Sequence, residues 1–144
     1  FRSVLFLSLL MRGGRLPGTY SAALNAMLAE VGNEAHKEAC QVFMKSLNNA
    51  LGWLMSNAMT DPEQAATVAP ILLRMYALTT LAVLWAKMAD QSGKPETVAQ
   101  YSKGFLEGKR KAADHFYSLF TPEVQALEAE LAELRAESSG EAPA

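Results

Sequence analysis

Apolar residues return every third or fourth position along much of this chain, and the clearest run begins at Glu34. Ala39, Phe43, Leu47, Leu51, Leu54 and Ala58 fall on one helical face, so the spacing predicts a helix from Glu34 to about Met59. Before it, the breaker cluster Arg12-Gly13-Gly14-Arg15-Leu16-Pro17-Gly18 precedes Thr19 and Ser21, either of which can cap a helix through Leu24, Met27, Leu28 and Val31, with Gly32-Asn33 as a stop or a kink. After it, Thr60-Asp61-Pro62-Glu63-Gln64 is a dense start signal: Asp61 caps, Pro62 takes the first helical position, and Gln64 stands where a capping box places Glu or Gln.

The helix that follows is uncharged from Met75 to Ala86, which predicts burial on all sides. Arg74 and Lys87 bracket only twelve uncharged residues, well short of the roughly 20 that span a bilayer, so a core helix is expected rather than a membrane span. Pro70 removes one backbone donor and should bend this helix between Thr67 and Ile71. Gly93 closes it after Ser92, and Pro95-Glu96 opens a fourth helix whose expected apolar face is Val98, Phe105, Ala112, Ala113, Phe116 and Leu119, with Lys109 among them. Thr121-Pro122-Glu123 repeats the cap, proline and acid pattern and predicts a fifth helix carrying Val124, Leu127, Leu131 and Leu134 at three- and four-residue steps. Two heptads are too few for a free coiled coil, so that stripe should dock on the bundle or on another subunit. No strand signal and no repeat of 20 to 50 residues is apparent, and the fold class expected is all-α, an antiparallel bundle of four to five long helices.

At the ends, Phe1 leads directly into the apolar run Val4 to Met11, as though the numbering began inside a longer polypeptide. Arg12-Gly13-Gly14-Arg15 follows where a signal peptide would place small cleavage-site residues. The division expected is residues 1–18 as the end of an upstream region with its joining segment, 19–137 as the helical bundle, and 138–144 as a small, polar, disordered tail.

With 144 residues, half of them hydrophobic and 19% charged, the composition is that of one folded domain. Thirteen Lys and Arg against fifteen Asp and Glu leave a net charge of −2, which lacks the broad positive field that general nucleic-acid binding requires. Cys40 is the only cysteine, so a reducing compartment is expected, the cytoplasm or an organelle matrix.

Candidate chemistry is thin. His36 and Cys40 lie at i and i+4 and could share a metal, but a structural zinc site needs four ligands and no second pair exists. A di-iron bundle needs Glu-x-x-His, and the residues three before His36 and His115 are Asn33 and Ala112. No Gly-x-Gly-x-x-Gly or Walker phosphate loop is present. Lys109-Arg110-Lys111 reads as a solvated basic face, and the segment from Thr121, with six acids against the single base Arg135, as an acidic one.

Four features recur in a particular order. Gly14-Arg15-Leu16-Pro17 precedes the bundle; Asp61-Pro62 sits between helices; a small-residue, Leu-rich helix ends in Trp85-x-x-x-Ala89; and Phe105, Lys109, Ala113, Phe116 and Tyr117 lead to Pro122. In this order the chain, over about residues 13–137, resembles the C-terminal helical extension of one branch of the acyl-CoA dehydrogenase flavoprotein family. It departs at Ala77, where the family has glycine, and at Pro70.

The resemblance implies a parent enzyme that uses FAD to oxidise an acyl-CoA substrate to its 2,3-enoyl form. The family's base, a glutamate in a Tyr-Glu-Gly-Thr-like segment, is not found between Phe1 and Met11 and is expected to lie upstream of Phe1 or to be lost. No catalytic, cofactor-binding or metal residue is therefore expected in this chain, which alone should bind no FAD and turn over no substrate. The partners implied are the remainder of the dehydrogenase core and further copies in a homo-oligomer. Candidate interface residues are Val124, Leu127, Leu131 and Leu134 as a subunit contact, and Lys109 as an ionic one. A stand-alone helical module for protein–protein interaction or dimerisation is the alternative reading.

Overall fold

In a computed structural model, residues 15–57 and 60–138 are described, and among them there are five helices and no strand. These are α1 (Arg15–Ala29), α2 (Glu34–Asn57), α3 (Pro62–Gln91), α4 (Pro95–Gln100) and α5 (Lys103–Ser138), the all-α class that the spacing predicts. The apolar run Phe1–Met11 and residues 139–144 lie outside the described residues.

Most boundaries follow local chemistry. Asn33 Oδ1 accepts the His36 backbone N–H at 3.2 Å and starts α2, and Asp61 Oδ1 accepts that of Gln64 at 3.0 Å and starts α3 at Pro62. The turn between α1 and α2 is pinned to the far end of α3, where the Gly32 N–H donates to Asp90 Oδ1 at 2.9 Å; a Cβ on Gly32 would lie 3.2 Å from that same oxygen. At the end of α3, Arg110 of α5 reaches back to Ser92, its Nε donating to the hydroxyl at 3.2 Å.

Three boundaries depart from the spacing. α1 begins at Arg15 rather than at Thr19, because Pro17 falls in the first turn, where its missing N–H is not needed. The fourth helix is split: α4 ends at Gln100, and α5 restarts after Ser102, whose hydroxyl accepts the Phe105 N–H at 3.3 Å. No fifth start occurs at Thr121. α5 runs straight through Pro122, with the Thr121 hydroxyl donating to the Tyr117 carbonyl at 2.9 Å and with Phe120 and Val124 buried on either side of the proline. Packing on both flanks outweighs the one hydrogen bond that proline removes.

α3 is the hub, packed against α2 and α5 and, less extensively, α1. Val68, Leu72, Met75, Ala82, Val83 and Ala86 meet Cys40, Phe43, Leu47 and Leu54 of α2, and Ala113, Tyr117, Phe120, Val124, Leu127 and Leu131 of α5. Ala82, Ala86 and Ala113 keep the facing surfaces small, which favours close approach of the helices. Thr79, buried in this core, satisfies its hydroxyl on the Met75 carbonyl at 2.7 Å. α1 adds Leu24, Leu28 and Val31, and Tyr20 meets Tyr76 edge to face at 5.2 Å.

The expectation that α3 is buried all round is corrected: Leu73, Leu81, Leu84 and Met88 are each about two-fifths exposed. One 18-residue stretch of this helix, with a mean hydropathy of 1.6, is long and apolar enough to cross a membrane, yet half of that stretch is buried against its neighbours.

Candidate functional site

His36 and Cys40, one turn apart on α2, face α5 across a shared polar cluster. His36 Nε2 lies 2.7 Å from Asp114 Oδ1, and its ring packs 5.0 Å from that of Tyr117. The Tyr117 hydroxyl donates to the Ala82 carbonyl of α3 at 2.8 Å and lies 3.7 Å from Cys40 Sγ. Four side chains from two helices and a carbonyl from a third thus meet at one point. Asp114 and Tyr117, three apart on α5, are the members that sequence reasoning missed; only their i, i+3 spacing opposite the i, i+4 pair of α2 hints at them.

The chemistry of the cluster is that of a tie rather than a reaction. Burial raises the Cys40 thiol above its ordinary range, more than the Tyr117 hydroxyl lowers it, so the thiolate needed for nucleophilic attack is disfavoured. Burial, the neighbouring thiol and the Asp114 charge all push the Tyr117 phenol upward as well. Among the described residues no three His, Cys, Asp or Glu side chains come together in a way that could hold a metal.

A groove of about 490 Å³ opens between α3 and α5, lined by Pro70, Ile71, Leu73, Arg74, Ala77, Leu127 and Glu130. Its cation is already engaged, because the Arg74 guanidinium is paired with Glu123. A flavin dinucleotide needs cations or free backbone N–H groups for its diphosphate. A paired arginine and a carboxylate do not fit that group.

Of the interface residues expected from the sequence, Val124, Leu127 and Leu131 are buried inside this chain's own bundle and Leu134 packs at its edge. Lys109 stands at the surface, its Nζ 5.0 Å from the centre of the Phe105 ring, which in turn stacks on Tyr101 at 5.2 Å. Val98, Phe105 and Leu119, expected on the buried face of the fourth helix, are each about half exposed; Ala113 is buried as expected, and Leu106, Tyr117 and Phe120 take the neighbouring core positions. The face was displaced by about a quarter turn because Phe105, Ala112, Phe116 and Leu119 form a helical line of their own beside the true core line.

A protein-family model described as "Acetyl-CoA dehydrogenase C-terminal like" matches residues 20–138. No curated protein and no solved structure matches the chain at a significant level.

Proposed function

Because this chain belongs to that family, as a C-terminal helical domain of the acyl-CoA dehydrogenase type, we propose that it serves an FAD-dependent enzyme oxidising acyl-CoA to 2,3-enoyl-CoA. Its part there is to pack against the catalytic core and to support subunit assembly, and it contributes no reacting group of its own. The observation that carries this reading is the family match, which spans nearly all of the described bundle.

The chemistry of the chain supports the division of labour. Its one thiol is buried and held protonated, its buried histidine is engaged by Asp114, and the groove beside α3 is apolar with its arginine paired. Such groups hold a fold together; they do not accept a proton from a thioester's α-carbon or bind a dinucleotide. The remainder of the dehydrogenase core, other copies of the chain and, for the parent, acyl-CoA are the partners, in the cytoplasm or an organelle matrix.

The test is flavin content and acyl-CoA-dependent dye reduction by the protein at its native length. Stoichiometric flavin and reduction of the dye by an acyl-CoA are expected. A protein that carries no flavin and reduces no dye with acyl-CoA of any chain length would overturn the reading and favour a stand-alone interaction module.

A further inference from the structure

The hub helix leaves one side uncovered. Pro70, Leu73, Ala77, Leu81, Leu84 and Met88 of α3 follow one another at steps of three and four, all exposed and all uncharged. At 1.5 Å per residue this stripe is about 27 Å long. A second line runs beside it on α5: Phe105, Lys109, Ala112, Phe116, Leu119, Glu123, Ala126 and Glu130, at alternating steps of four and three, each exposed or half-buried.

The two lines are edges of a single surface. Trp85 of α3 stacks on Phe116 of α5 at 4.4 Å, Arg74 pairs with Glu123, and Leu73 and Ala77 share a groove with Glu130. Two helices wide, the surface measures about 27 by 20 Å, of the same order as the roughly 800 Å² that each partner contributes to a standard protein interface.

Its charges sit at opposite ends. Lys109 lies ten positions before Leu119 and Glu130 eleven after it, and between them the α5 line is apolar except for Glu123, which Arg74 already neutralises. Among the described residues neither Lys109 nor Glu130 has an ion-pair partner. α3 and α5 are antiparallel, Ala82 lying level with Tyr117 and Arg74 with Glu123, so the middle of the α3 stripe, near residue 79, lies level with Leu119.

A two-fold axis at that level does three things at once. It lays the α3 stripe antiparallel on its own copy, apolar against apolar; it sets Leu119 beside Leu119 of the copy; and it brings Lys109 opposite Glu130 of the copy, twice. We propose that this α3/α5 face is a self-complementary interface for a second copy of the chain, closed by reciprocal Lys109–Glu130 pairs. The match of midpoints on two helices is what an isologous contact requires and what a one-sided partner would not produce. A membrane surface is disfavoured by the carboxylates at one end. The inference names the partner in the assembly role proposed above and rests on that reading only there; its test reads neither flavin nor activity.

The test is disulfide cross-linking of Leu119→Cys in the protein at its native length, with Val42→Cys, exposed on α2, as the control; Cys40 is buried and stays silent. Mild oxidation should link Leu119→Cys into a dimer and leave Val42→Cys unlinked. Adding Lys109→Glu or Glu130→Lys places like charges opposite each other and should lower the yield roughly tenfold or more. Mixing the two charge variants should restore it, since the mixed pair has one native Lys109–Glu130 contact and one with the signs reversed. Equal yields at the two cysteine positions, a link from Leu119→Cys into the same chain's catalytic core, charge variants that link as well as their parent, or a mixture no better than its components would each overturn the proposal.

Discussion

Replacing Pro122 by alanine separates a helix that begins at this residue from one that passes through it. In the structure α5 passes through, so the Ser118 carbonyl has no N–H four residues on, and the ring crowds the preceding turn. Proline is about 3 kcal/mol less favourable than alanine inside a helix, and Pro122 is exposed, so removing the ring uncovers no core. Relaxation of the surrounding turn, already helped by the Thr121 hydroxyl on the Tyr117 carbonyl, should keep part of that difference from appearing. The expected gain for Pro122→Ala is about 1–3 kcal/mol. In urea, with a slope of about 2 kcal/mol/M, the unfolding midpoint should rise by about 0.5–1.5 M with the slope unchanged. Equilibrium unfolding followed by far-UV circular dichroism measures it. An unchanged or lower midpoint would refute the reasoning, since a proline at a helix's first position is favourable there and its loss gains nothing.

Three further outcomes are expected. Asp61→Ala removes the carboxylate that accepts the Gln64 N–H and should lower stability by about 0.5–2 kcal/mol in the same urea titration, with Asp61→Asn recovering most of it. Tyr117→Phe keeps the packing but loses the hydroxyl that ties α5 to the Ala82 carbonyl, about 0.5–1.5 kcal/mol; a neutral result would show that the polar cluster holds nothing together. Burial, with a smaller contribution from Tyr20, pushes the Tyr76 phenol from its ordinary 10.0 to about 12, and Tyr117 is pushed the same way. A phenol whose folded value is raised favours the folded state fully below pH 10 and less as pH climbs toward 12, because only the unfolded chain ionises in that window. Thermal midpoints should therefore be level to about pH 10 and fall above it, less steeply in Tyr76→Phe; an equal slope in that variant would contradict the assignment.

The parts of the fold that were legible in the sequence are those set by local rules. Asp61 caps because its short side chain reaches the backbone N–H three residues on, and Phe43, Leu47, Leu51 and Leu54 are buried because their spacing leaves one face. The parts that were not legible depend on what lies opposite. Thr121-Pro122-Glu123 has every local mark of a helix start, and only the burial of Phe120 and Val124 against α3 keeps the helix continuous. The uncharged run from Met75 to Ala86 looks the same whether two sides of it are covered or all of them, so the exposed stripe could not be seen. On α5 two apolar lines compete, and spacing alone chose the outer one. Lys109 among Phe105, Phe116 and Leu119 was the mark of that outer face, since a lysine is far easier to keep at a surface than in a core. The His36 and Cys40 pair was visible, while its partners Asp114 and Tyr117, 78 and 77 positions away, were not.

A C-terminal domain of a flavoenzyme must share its polypeptide with the flavin site and the catalytic base. The measurement that tests it most directly is the intact mass of the polypeptide carrying this sequence, isolated from its own cells. A mass several times 15.6 kDa is predicted, with room for a flavin site and a catalytic glutamate. A mass near 15.6 kDa would contradict it, for the chemistry would then have nowhere to reside.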